Sequence, residues 1–547
     1  MHTITRKKPK MLRIPDPDQI TIEEFKAPFE VKIDPRNRWV QLAQLIPWRK
    51  LVDIYAKSMS DFGRPGINPR IIIGSIIIKT FLDLSDEETL NQIRENMYMQ
   101  YFLGYAEYEY KYPFDASLFV YIRDRVGKEL MDEMNTVIIQ QGMQHKEKKS
   151  GKKNNTVIPQ SERAVSETTN EPSNNIHTEG SREVRVEEQG ELFEEEQGET
   201  KVEESPVHSG SLILDATVSD QYIKYPTDVE LLQDCREKSE GIIDTLHEGS
   251  EDKMKPRTYR RKARALFLDF AKKKNRSRRA VHKAKGQQLR YVYRNLKTIK
   301  VMLDKQDGKP FPLSGQMLKD YWVIQEIYRQ QKQMYDRKEN RCEDRIVSIL
   351  QPYVRPIVRG KQGKNVEFGS KSLIGIVGQG YVQMEKLQWD GFNEGSLVIE
   401  SVERYRKTLG YYPEVVIGDR IFITRDNKKK LEEMGIRLSG KQLGRKSEVQ
   451  KKEEKKRMIK DQKKRVLVEG KFGQGKNAYG LNQIRMRTRR TSECMVMSIY
   501  FVMNLVRLAK EVLFYPFRQI VSMLKNVLEC FEYWTGSDWT PILHGRL

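Results

Sequence analysis

Apolar and polar positions along the chain fall into blocks of different period. From about Arg49 to Met143 the spacing is helical. Pro69 opens an apolar run from Arg70 to Leu82, and Ser85-Asp86-Glu87-Glu88 has the form of a capping box. Leu90, Ile93 and Met97 carry the next helical stripe, Gly104 marks a turn, and Asp115 and Ser117 introduce a further helix bearing Arg123 and Arg125. Short helices joined by tight turns, with basic residues late, fit either a helix-turn-helix DNA reader or a plain helical packing unit. Residues 1–40 are polar and proline-broken and read as an extended arm; the helical domain, a possible DNA-end binder, spans 41–144. Residues 145–209 are rich in Ser, Glu, Asn, Gln, Thr and Gly and poor in large apolar residues, the composition of a disordered acidic linker.

A new pattern begins at Ser211. Leu212-Ile213-Leu214 is a short apolar run ending at Asp215, and Thr217-Val218 follows; together they read as a buried strand, broken by Tyr225-Pro226-Thr227-Asp228. Val366-Glu367-Phe368 and Leu373 to Val377 predict two neighbouring strands joined around Gly369 to Ser372, and Tyr381 to Met384 continues the sheet. Asn393 to Leu409 is amphipathic at helical spacing, and Val415-Val416-Ile417 is a second apolar run, ending at Gly418-Asp419. Next come a helix over Arg425 to Met434, a short strand at Ile436-Arg437-Leu438 and a basic helix over Lys446 to Lys464. A glycine-rich turn is expected after Glu469, then an apolar helix from about Ser492 to Phe514. Strands alternating with crossover helices predict a mixed α/β sheet over 210–547.

Charge sharpens this picture. The 547-residue chain has a formal net charge of +22, a surplus that points to a polyanion. Between 253 and 300 about nineteen Lys and Arg face one acid, Asp269, with Arg260, Arg261, Arg264, Lys272, Lys273 and Lys274 in the densest part. Such a block is the electrostatic footprint of phosphate binding. It is too long for a loop, so an inserted helical subdomain is expected at about 235–350. The interleaved Tyr259, Phe267, Phe270, Tyr291 and Tyr293 are more simply core than base-stacking platforms. Cys235, Cys342, Cys494 and Cys530 form no close pair, which argues against a zinc ribbon or disulfide framework and suits a reducing bacterial cytoplasm. The most apolar run, Cys494 to Val506, ends at Arg507 and reads as a buried helix rather than a membrane span.

The candidate chemistry lies in acids that follow the apolar runs. Carboxylates at Asp215 and Asp419 would repel each other in one crevice unless a cation sat between them, and hard Mg²⁺ suits such oxygens. A competing reading makes each acid a helix cap or an ion-pair partner, Arg420 being next to Asp419. Asp228 and Asp426 look like first-turn acids. Arg465, Glu469 and Lys476 form Arg-x-x-x-Glu-x-x-x-x-x-x-Lys, which puts Arg465 beside Glu469 on a helix and leaves Lys476 as a point charge for phosphate.

At these residues the sequence resembles the DDE insertion-sequence transposases with a Tyr-Arg-Glu-Lys signature. Leu214-Asp215-Ala216-Thr217 looks like the first-acid strand, Ile417-Gly418-Asp419-Arg420 like the second, and Val468-Glu469-Gly470-Lys471-Phe472-Gly473 like the third block; Gln462 stands at the signature's Tyr position. The segment from about Asn68 to Arg125 is similar to the family's N-terminal helical domain. The resemblance implies a ribonuclease H-like mixed sheet with an inserted helical subdomain behind an all-α N-terminal domain. It also implies catalytic, metal-binding Asp215, Asp419 and Glu469 holding two Mg²⁺ ions, with Mn²⁺ as a substitute. The partners implied are double-stranded DNA, as terminal inverted repeats and target, and a second copy of the chain. The expected activity is DNA cleavage and strand transfer. The alternatives are an inactive transposase-derived DNA-binding protein and a nuclease without strand transfer.

Overall fold

The computed structural model describes residues 21–27, 32–59, 66–150, 208–250, 253–305, 311–358, 366–378, 380–440 and 448–513. The N-terminal part forms α1 (Arg38–Leu45), α2 (Trp48–Ala56), α3 (Pro69–Leu82), α4 (Asp86–Glu95), α5 (Met97–Leu103) and α6 (Leu118–Ser150). The expected starts are realised by capping: the Asn68 side chain accepts from the Arg70 amide ahead of Pro69, and Ser85 Oγ accepts from the Glu88 amide at 3.0 Å. Part of the segment read as an arm is packed, since Phe25 and Ile33 lie in the core. Helix α6 breaks at Gly127, whose φ of 58° and ψ of −164° leave the helical region. Of the segment read as a linker, α6 takes up the first residues as far as Ser150, and residues 151–207 lie outside the described residues.

Arg123 does not serve as an exposed DNA-reading cation. It is buried and forked onto Asp86 at 2.7 and 2.8 Å, with Lys79 on the same carboxylate at 3.0 Å. The two cations hold the Asp86 carboxyl below its usual range even though burial opposes them.

The sheet comprises β1 (Ser211–Gln221), β2 (Arg355–Val358), β3 (Val366–Val377), β4 (Tyr381–Gln388), β5 (Val415–Ile417), β6 (Arg437–Leu438) and β7 (Gln483–Ile484). Its order is β2-β3-β1-β5-β6, with β4 also pairing β3 and β7 also pairing β1. Strands β2, β3 and β4 run antiparallel to their neighbours, whereas β5, β6 and β7 pair in parallel. Two expectations change here. β1 includes Thr217 and Val218 as expected and runs to Gln221, paired with β3 from Ile213 to Asp220, so Asp215 lies within the strand rather than at its end. The two strands expected around Gly369 are one, β3: a Cβ at Gly369 would lie 1.9 Å from the Ser219 carbonyl oxygen, so this glycine permits close strand approach rather than a turn.

Between β1 and β2 the chain leaves the sheet for α7 (Asp228–Glu248), α8 (Arg260–Ala271), α9 (Arg278–Asp304) and α10 (Gly315–Arg337). This inserted unit has its own cores, one around Leu232, Cys235, Val292 and Ile324 and another around Ile243, Leu246 and Ile299. After β4 follow a 3-10 turn (Glu394–Leu397) and α11 (Val398–Leu409), then α12 (Arg425–Glu433) between β5 and β6, and finally α13 (Glu448–Ala478) and α14 (Arg489–Leu513). The glycine-rich turn expected after Glu469 is absent, because α13 continues through Gly470 and Gly473, where an added Cβ would meet nothing within 4 Å.

Helix α14 is the one helix among the described residues long and apolar enough to cross a membrane, and 83% of its apolar window is buried in the protein. It ties the N-terminal helices to the sheet. The Asn504 side chain accepts from the Val382 amide at 2.8 Å and donates to the Val382 carbonyl at 2.7 Å and to Asn135 at 2.8 Å. Helices and sheet thus share one core, running from Trp39 and Phe102 through Leu214 and Ile374 to Phe501 and Leu508.

Candidate active site

The parallel pairing of β1 with β5 matches Ser211 to Val415 and Ile213 to Ile417. Carried on by two residues, this register sets Asp419 beside Asp215. Gly418 makes the bend possible, since a Cβ there would meet the Phe422 ring at 2.6 Å as the chain folds into a short 3-10 turn. Asp215 Oδ1 accepts from the Ala216 amide at 2.8 Å, and Asp419 Oδ1 accepts from the Arg420 amide at 2.7 Å. Each carboxylate is held by one oxygen and presents the other.

Both free oxygens face the same cation. Arg465 Nη2 lies 3.7 Å from Asp215 Oδ2 and 3.5 Å from Asp419 Oδ2. Arg465 comes from α13, which is fixed at its near end by the fork of Arg437, on β6, onto Asp461 at 2.7 and 3.0 Å and further along by buried Val468. Asp215 is largely enclosed, its side chain 18% exposed, whereas that of Asp419 is 57% exposed. Burial pushes the Asp215 carboxyl up, the Ala216 amide and Arg465 pull it down, and Glu394 and Asp419 add to the upward push.

Glu469 lies one turn beyond Arg465 and is exposed. Among the described residues no group of three or more His, Cys, Asp or Glu side chains is gathered closely enough to hold a metal ion. The structure therefore brings together Asp215, Asp419 and Arg465 and leaves Glu469 outside the cluster. Arg465 turns to the sheet acids rather than to its helix neighbour. The paired oxygens are hard anionic donors that meet at one positive charge, a chemistry that fits Mg²⁺. The third ligand would have to come from movement of Glu469 or from another carboxylate.

Glu394 was not foreseen from sequence. It ion-pairs with Lys371 of β3 at 2.6 Å and bears electrostatically on Asp215; the only cue was its place at a helix start. Lys476 is eleven residues past Arg465 on α13, about 16 Å at a rise of roughly 1.5 Å per residue, and lines a separate cavity. In the basic block Arg261, Arg264, Lys272, Lys273 and Lys274 are exposed. Arg260, though exposed too, is tied to Asp244 at 2.6 Å and lies 3.9 Å from Glu240, which gives it a role in joining α8 to α7. Asp228 is structural, paired with Lys285 at 2.7 Å and Arg345 at 2.6 Å.

The sheet brings a carboxylate on β1 together with one just past the end of the parallel strand β5, and a basic helical unit is inserted between β1 and β2. Comparison with known proteins points to transposases. Residues 27–125 match the family model described as a transposase domain (DUF772), and residues 416–506 match that of a transposase DDE domain. The chain is 30% identical over 159 residues to the uncharacterized protein ORF8 in the nfe locus of Rhizobium meliloti, an alignment covering 29% of this chain and 72% of that relative. No solved structure matches. The chain belongs to the insertion-sequence DDE transposases.

Proposed function

We propose that this transposase cleaves the ends of its insertion sequence and joins them to target DNA by a two-metal DDE reaction, with Asp215, Asp419 and Glu469 as the acidic ligands. The observation that carries the reading is the meeting of Asp215 Oδ2 and Asp419 Oδ2 at one guanidinium, on the helix that also bears Glu469. The sheet supports a ribonuclease H-like assignment, since the antiparallel β1, β3 and β4 are followed by β5 and β6 in parallel, reached through α11 and α12. Divalent ions bound there, Mg²⁺ or Mn²⁺, supply an activated nucleophile at neutral pH and neutralise charge on the leaving oxygen. Asp215 and Asp419 would hold the hard cation through their Oδ2 oxygens, and Glu469, one turn past Arg465 on α13, would supply the third carboxylate. Arg465 balances the charge of the two sheet acids and would be close enough to them to meet a substrate phosphate.

The partners are double-stranded DNA, as terminal repeats and target, and a second copy of the chain on paired ends, acting in the bacterial cytoplasm at the nucleoid. The test is metal-dependent nicking and joining of DNA that carries the element's own ends, with Asp215→Asn, Asp419→Asn and Glu469→Gln. Loss of both activities with DNA binding kept supports the reading. Nicking without joined products would favour a plain nuclease. Binding without nicking by the parent would favour an inactive DNA-binding descendant.

A further inference from the structure

A cavity of about 540 Å³ lies between the N-terminal helices and the segment that joins α13 to α14. One side is formed by Asp83 to Asp86 with Val120 and Arg123, the other by Lys476 and residues 482–488. Five of its lining residues are basic (Lys79, Arg123, Lys476, Arg485 and Arg487) and two are acidic (Asp83 and Asp86). The cations fall into two kinds. Lys79 and Arg123 are buried and neutralise Asp86. Arg485 and Arg487 are exposed, and among the described residues no carboxylate pairs with either. Arg487 also lines the neighbouring cleft with Lys224, Tyr222 and Tyr225, so the surface continues past the end of β1 toward the inserted helices.

The backbone here is rigidly placed. Gln483 and Ile484 of β7 pair with Asp220 and Gln221 of β1, the strand that carries Asp215. Gln221 Nε2 also donates to the carbonyl of Met486, between the two arginines. Gln221 is six positions past Asp215 on β1, about 20 Å at roughly 3.3 Å per residue. Successive phosphates on one DNA strand are about 3.4 Å apart along the axis, so the span corresponds to roughly six base pairs.

We propose that this groove, through Arg485 and Arg487, grips the sugar–phosphate backbone of duplex DNA about six base pairs from the phosphodiester held at Asp215. The inference rests on the functional reading above and adds where the duplex lies. It makes the N-terminal helices one wall of the DNA channel and assigns the grip to residues outside the basic insertion. The two arginines position DNA and carry no sequence information themselves.

The experiment measures duplex binding by the full chain across a salt series, with Arg485→Gln/Arg487→Gln compared with the parent and with Arg261→Gln/Arg264→Gln. Both positions changed are exposed, and an unchanged Tm confirms that the variant folds. Two lost phosphate contacts should reduce the slope of log affinity against log salt by about 1.8, roughly 0.9 each. The slope should fall on DNA of any sequence. An unchanged slope in the Arg485/Arg487 variant, with the parent binding normally, overturns the groove while leaving the transposase reading intact. A loss confined to single-stranded DNA or RNA also overturns it. If the parent itself fails to bind duplex DNA, the functional reading falls with it.

Discussion

Arg465 Nη2 stands 3.5 Å from Asp419 Oδ2, so the helix that carries Glu469 is tied by charge to the strand end that carries the second acid. The same nitrogen is 3.7 Å from Asp215, and a single cation thereby compensates two carboxylates that would otherwise repel. Divalent ions bound between the acids would have to share or displace that charge. Arg465→Ala should therefore slow Mg²⁺-dependent nicking at saturating metal while leaving half-saturation by Mg²⁺ no weaker than in the parent. A metal titration of nicking rate separates the two effects. Weaker metal binding with an unchanged maximal rate would assign Arg465 to holding the site together instead.

Asp228 is no neutral surface acid. Its carboxylate meets Lys285, only 7% exposed, and Arg345, and accepts from Gln331 at 2.9 Å. These cations keep it in the charged form against the cost of burial. Asp228→Asn leaves them without a counter-charge, and breaking a buried pair in this way costs about 3–5 kcal/mol. Denaturant unfolding should register a loss of that order, against almost none for Asp426→Asn, an exposed first-turn acid of α12. Equal stability of the two variants would contradict the structural role given to Asp228.

Glu385 on β4 lies close to Asp132 of α6 and to Glu400, Ser401 and Arg404 of α11. Burial raises its carboxyl to about 8 from an ordinary value of 4.5, with the Arg404 charge opposing. Below about pH 4.5 the group is protonated in both folded and unfolded chains. Between there and about 8 the unfolded chain gives up the proton while the folded chain keeps it, so stability falls as pH rises through this window. Glu385→Gln cannot ionise. Its Tm should exceed the parent's by more near pH 8 than near about pH 5. A difference that stays constant with pH would contradict the burial argument.

The two sheet acids were legible because an apolar run followed by an acid is a strong local pattern, and their register brings them together. The place of Asp215 inside β1 rather than at its end was not, because the acid breaks the apolar run although the strand pairs on through it. Thr217 pairs in register with Ser372 of β3, a partner 155 residues away that no local pattern reveals. Glycines misled in two ways. Gly369 looked like a turn but lets two strands approach, and Gly470 and Gly473 looked like a helix stop but sit where α13 meets no obstacle. Arg465 at helical spacing from Glu469 suggested a pair on one helix, yet a long side chain turns to whichever charge is less solvated, and here that is on the sheet. Arg123 left a DNA reader and a packing helix both open, because the Asp86 that buries it lies 37 residues away.

The proposed reaction requires the three acids to act as one site. Mg²⁺- or Mn²⁺-dependent nicking of DNA bearing the element's own ends, measured beside DNA binding, tests this most directly in Asp215→Asn, Asp419→Asn, Glu469→Gln and the control Asp426→Asn. Each of the first three removes one negative ligand with little change of shape. The account predicts a loss of nicking by two or more orders of magnitude in all three, with binding kept, and near-parental rates in Asp426→Asn. Parental nicking by Glu469→Gln alone would show that the exposed α13 carboxylate is not the third ligand, and parental nicking by Asp215→Asn or Asp419→Asn would contradict the site itself.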